Sequence, residues 1–101
     1  MNIIFDKSML PSELDGQFTI FKLETIVAEN GQSLEPYCVV ETARIPTKEI
    51  EMLDYWRRFH DEFLASAAQE NYKLCRDIAE HLMGKFGGEL DSFYTVVCER
   101  G

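Results

Sequence analysis

Two histidines, three cysteines and a row of carboxylates are the residues of this chain that could do chemistry. Asp77 and His81 stand four apart in a helix-period stretch, so both fall on one helical face. Such a pair can begin a metal site, but zinc normally takes three or four ligands. No third ligand with suitable spacing follows, and Lys73 pairs with Asp77 at the same interval. The expectation is a plain surface helix and no metal. His60 neighbours Trp56, Asp61 and Phe63. As a general base it would need a cleft and an orienting partner. Asp61 points about 100° away around a helix, so it is not the natural orienter. A partly buried or surface histidine is expected.

Cys38, Cys75 and Cys98 are odd in number and widely separated, which fits neither a zinc pattern nor Cys-x-x-Cys. All three sit among apolar neighbours and read as free, structural thiols. A cysteine nucleophile would want a close His and electropositive surroundings, and a formal net charge of −8 works against that. Gly84, Gly87 and Gly88 follow a helical pattern rather than a strand, so they are no phosphate cradle. No catalytic residue, cofactor or metal is therefore expected.

The carboxylates remain. Glu49, Glu51, Asp54, Asp61 and Glu62 recur along one predicted helix and form a candidate partner-binding face. The net charge argues against gripping a phosphate backbone, which takes clustered Lys and Arg. It fits solubility alone, and it fits a basic protein partner. In one version the face is a decoy for the basic groove of a nucleic-acid-binding protein.

These side chains need elements to hold them. Ile50, Leu53, Trp56, Phe59, Phe63 and Ala67 recur at spacings of three and four, one stripe of an amphipathic helix. Tyr72, Cys75, Ile78, Ala79, Leu82 and Phe86 make a second stripe. A single helix of about forty residues would be ~60 Å long, too long for so small a domain. A break near Ser66–Asn71 is expected, giving two helices. Pro46 should end the preceding strand and Thr47 should cap the first helix. One of the three glycines can close the second.

Ile3-Ile4-Phe5 could be a short strand, and Pro11 to Gly16 reads as a turn. Gln17 to Ala28 reads as a strand that turns at Asn30-Gly31. A two-residue loop of positive φ there would set Val27 against Leu34, Leu23 against Cys38 and Phe21 against Val40. All six are apolar and share one side. The other side carries Phe18, Ile20, Ile26, Tyr37 and Val39, which the N-terminal segment could cover or which could be an interface. Pro36 suggests an edge strand or a bulge. Glu89 to Glu99, with Phe93, Tyr94, Thr95, Val96, Val97 and Cys98, reads as a last strand beside the hairpin.

The 101 residues fit one domain, and 46% hydrophobic content supports a packed core. No apolar run approaches the ~20 residues that span a bilayer. The N-terminus does not read as a secretory signal, so a cytoplasmic protein is expected. The expected fold is α+β: a small antiparallel sheet with two helices on one face, in the order β-β-α-α-β. The expected function is non-enzymatic binding of another protein, of inhibitor, adaptor or immunity type. The alternatives are a homodimer built on the outer sheet face, or a small enzyme or ligand-binding domain with a pocket between helices and sheet.

Overall fold

The computed structural model describes residues 2–13 and 16–101. The protein is α+β, with its strands in one compact unit, Met1–Arg44, and its longer helices in another, Ile45–Gly101. The first unit holds β1 (Asn2–Ile4), β2 (Phe18–Lys22), β3 (Ile26–Val27), β4 (Ser33–Leu34) and β5 (Tyr37–Glu41). β5 is central in an antiparallel sheet of order β1-β5-β2, and β3 and β4 form a separate two-stranded ribbon. The expected N-terminal strand is therefore present. It occupies the place beside the hairpin that the C-terminal segment was expected to take. Of the expected Pro11–Gly16 turn, Leu14 and Asp15 lie outside the described residues.

Four of the six residues expected on the apolar side of the hairpin are where patterning put them, whereas Val27 and Leu34 are exposed and do not oppose each other. Phe21, Leu23, Cys38 and Val40 are all buried. Thr19 joins them, and its hydroxyl meets that of Thr42 at 2.9 Å. The register is different, however. Phe21 opposes Cys38 and Thr19 opposes Val40, two positions from the expected pairing. In the ribbon, Ile26 opposes Leu34 and Val27 opposes Ser33.

Two local events account for this. Asn30 does not take positive φ, whereas Gly31 does, at +83°. The Gly31 amide donates to Ala28 O and the Ala28 amide to Gln32 O, which makes a three-residue loop. This is a type I turn closed by a left-handed glycine, and Asn30 Oδ1 accepts from Gln32 N at 3.0 Å. Farther down, three residues (23–25) face two (35–36) between the paired segments. Pro36 has no amide to offer a ladder there, although its carbonyl accepts from Leu23 N. The strand after Pro36 is thus not an edge; the irregularity lies at Pro36 itself. The two slips cancel in parity along β2, so the same side chains stay buried.

The second unit contains α1 (Thr47–Glu51), α2 (Leu53–Ala68), α3 (Tyr72–Leu82) and α4 (Asp91–Cys98). Ile45, Phe63, Ala67, Cys75, Ile78, Leu82, Phe86, Leu90, Tyr94 and Val97 are buried. α2 packs on α3, and α3 on α4. Thr47 does not cap α1; Pro46 occupies that position and Thr47 is the first helical residue. Pro46 has the extended ψ, 143°, of a residue just ahead of a helix, and it has no amide that would need a partner there.

The expected break between the long helices falls at Gln69–Asn71. Glu70 has φ +58°, the Glu70 amide donates to Ala67 O, and the Asn71 amide donates to Ser66 O. That pair of bonds is a Schellman termination with Glu where glycine usually stands. Asn71 Oδ1 then accepts from Leu74 N and caps α3. α3 ends in a type II turn over Leu82–Lys85, with Gly84 at φ +81° in the position that needs it.

Asp91–Cys98 is a helix, not the expected strand. Its β-branched and aromatic residues are a weak prior that packing overrides. Leu90, Tyr94 and Val97 are each 0% exposed, at helical spacing, while Val96 is 55% exposed. Strand alternation would have paired Phe93 and Thr95 with Val97 instead. Tyr94 places its hydroxyl 2.8 Å from His60 Nδ1, and both residues are buried.

Glu70→Gly should stabilise the protein by about 0.5–1 kcal/mol, because it relieves a side chain in a left-handed backbone. Urea unfolding of the variant beside the parent measures this; an unchanged or lower midpoint contradicts it.

Candidate functional site

α2 sorts its side chains by angle, at about 100° per residue. Trp56, His60, Phe63 and Ala67 point to the core side, and Asp54, Arg58, Asp61 and Ala65 point away. Tyr55, Phe59 and Glu62 lie on the border between the two. Tyr55 is 47% exposed, and Trp56 and Phe59 are half-buried.

These rings form a connected surface group. The Tyr55 ring stands edge-on to Trp56 at 5.1 Å and to Phe59 at 5.2 Å. The exposed His81 ring stacks on Phe59 at 5.6 Å. Lys85 Nζ sits 4.4 Å from the Trp56 ring centre, a cation–π contact. Two shallow depressions meet at Tyr55. One, of about 480 Å³, is lined by residues from Ile50 to Asp54 and by Tyr55. The other, of about 220 Å³, is lined by Tyr55, Arg58, Phe59 and Glu62.

The five carboxylates singled out in the sequence do not act alike. Glu51, Asp54, Asp61 and Glu62 are exposed. Asp54 and Asp61 lie within about 20° of each other on the helix, and Glu62 is about 80° round toward Tyr55. Glu49 is half-buried and turned into its own fold, where Oε1 accepts from Phe86 N at 2.6 Å. Phe86 has φ +56°, an uncommon conformation for a bulky side chain. The Glu49 bond helps hold that conformation.

The other sequence candidates are dispersed. His60 is bonded to Tyr94 and 2% exposed, so it faces no solvent cleft. Asp77 and His81 are exposed, and among the described residues no group of three His, Cys, Asp or Glu could hold a metal ion. Cys38 and Cys75 are free and buried; Cys98 is free and half-buried. Burial pushes the Cys98 thiol above its ordinary pKa, and Arg76 opposes that shift. On the sheet, Phe18, Ile20 and Tyr37 are half-buried and Val39 is buried. Ile20 faces Val39 as a pair, but Ile26 belongs to the separate ribbon. The five residues of the expected outer surface therefore do not share one sheet.

From sequence, Tyr55, Trp56, Phe59 and Phe63 read mainly as core, with Tyr55 and Tyr72 partly exposed as interface anchors. Tyr55 and Phe59 sit on the flank of the stripe, beside the charged arc. His81 and Lys85 could not have been found, because they join through folding from another helix and a turn. No family model, curated protein or solved structure matches the chain. Among the described residues no helix is long and apolar enough to cross a membrane.

Glu49→Ala should destabilise the fold by about 1.5–3 kcal/mol, the worth of a hydrogen bond to a charged group, and Glu49→Gln by less. Thermal and urea unfolding of both variants would show it; equal losses would mean that the acceptor is not what matters. Cys98 should alkylate through its thiolate, so its labelling rate should still be rising where an ordinary thiol levels off, above about pH 8.5. Iodoacetamide labelling followed by mass spectrometry reads this directly, and a plateau below that pH contradicts it.

Proposed function

We propose that this is a non-enzymatic binding protein that engages a basic protein partner through the Tyr55 face of α1 and α2. The observation that carries the reading is the exposed aromatic group at Tyr55 with carboxylates beside it. Aromatic side chains in shallow depressions are the usual anchors of protein interfaces. Glu51, Asp54, Asp61 and Glu62 supply the acidic rim, which steers a positively charged partner and sets register more than raw affinity. A groove built to hold nucleic acid is one basic surface of this kind, and an inhibitor occupying it is the specific form of the proposal. Arg58 lies inside the rim and would pair with an acidic residue of the partner.

Support for an intracellular setting comes from the cysteines. All three are free, as suits a cytoplasm that keeps thiols reduced.

The test is capture from lysate of the source cells on immobilised protein, at low and at high salt, with the parent chain and with Tyr55→Ala. The parent should retain a basic protein at low salt and lose most of it near 0.5 M salt, where the Debye length shrinks to a few ångström. Tyr55→Ala should weaken that contact by roughly tenfold or more, as the loss of an interface anchor does. Capture indifferent to salt, or equal on both baits, would refute the assignment.

A further inference from the structure

The β3–β4 ribbon presents three large aliphatic residues to solvent. Val27 is 69% exposed, Ile26 44% and Leu34 38%. Ile26 and Leu34 oppose each other, so they share one side of the ribbon, and Val27 lies on the reverse beside Ser33. Each strand is two residues long, and among the described residues β3 and β4 pair with each other rather than with the larger sheet. The tip is nonetheless built. Gly31 and the Asn30 side chain fix the turn, so its shape exists before any contact is made.

Charge narrows what such an element can meet. Residues 23–43 contain Glu24, Glu29, Glu35 and Glu41 and no Lys or Arg. Lys22, at the base, is already paired with Glu35 at 3.3 Å. An anionic lipid surface would repel this segment. A second copy of the chain would bring a net charge of −8 against it. A ribbon with an exposed aliphatic residue on each side gains most when it is enclosed, since a flat surface could cover only one side.

We infer that the β3–β4 ribbon is an insertion element, which enters an apolar groove bordered by Lys and Arg on a different protein. Ile26 and Leu34 contact one wall and Val27 the other. Glu29 meets the basic border, and Glu24 and Glu35 add negative charge beside it. The inference does not depend on the Tyr55 face, because the ribbon belongs to the other compact unit and carries its own anchors.

Photocrosslinking decides it. Val27 is replaced by benzoylphenylalanine in the full chain, which is irradiated in lysate of the source cells, with the same group at exposed Ser92 as control. The expected product is one protein joined from position 27 and not from 92, its joined peptide lying in an apolar cleft flanked by Lys or Arg. Its yield should fall roughly tenfold when Ile26 and Leu34 are both changed to Thr, and should persist in Tyr55→Ala. A crosslink to another copy of the chain, to lipid, to a cleft without basic residues, or equally from both positions, overturns the inference, and so does no crosslink at all. Val27→Thr, at the most exposed of the three positions, should unfold at the parent midpoint. A lower midpoint would show that Val27 serves folding, and would equally overturn it.

Discussion

A phenol hydroxyl carried into an apolar core must find a partner, and in the helical unit Tyr94 finds His60 Nδ1 at 2.8 Å. Leaving either polar group without a bond in such surroundings would cost on the order of 1–3 kcal/mol. The bond therefore constrains the angle of α4 against α2. The Tyr94 ring adds to it, edge-on to Phe63 at 4.9 Å and to His60 at 5.8 Å. Ring and hydroxyl together set how α4 lies, and that placement lets Leu90 and Val97 complete the core. The histidine that was weighed as a general base is occupied by this structural duty.

The same economy appears at the other end of the unit. Glu49 reaches Phe86, and Lys85 lies over Trp56, so the turn after α3 is held to α1 and α2 through two polar contacts. Phe86, Gly87 and Gly88 all have positive φ. A run of three such residues is costly for anything but glycine, and Phe86 is held there by a buried ring and a charge-assisted bond. With the inner contacts settled, Tyr55, Phe59 and the remaining carboxylates are left to the surface.

Sequence periodicity revealed what depends on a single face being buried. The stripe from Ile50 to Ala67 and the buried Phe21–Cys38 side of the hairpin are of this kind, since each repeats over several turns or several pairs; the break before Asn71 followed instead from the length a small domain can hold. α4 escaped because a short run of Phe, Tyr, Thr and Val satisfies both periods, and only Leu90 and Tyr94 together mark the helical one. The register escaped because Asn-Gly serves two kinds of turn: both residues left-handed, or glycine alone. Of the candidate site, the acidic positions were legible as residue types, but not which of them would turn inward. Glu49 looks no different from Glu51 until Phe86 is beside it.

Between Lys22 and Ile26 the first strand of the hairpin carries one residue more than its partner. That surplus works as a half-twist in a belt. It hands the tip of the hairpin the opposite side-chain parity from its base, so the buried row of the sheet is not simply prolonged into solvent. Removing one of residues 23–25 would leave two residues facing two and let the ladder run unbroken toward the tip, while the turn still holds Ile26 opposite Leu34 and Val27 opposite Ser33. Length at this point, rather than composition, is therefore the variable through which such a projecting arm can be re-aimed.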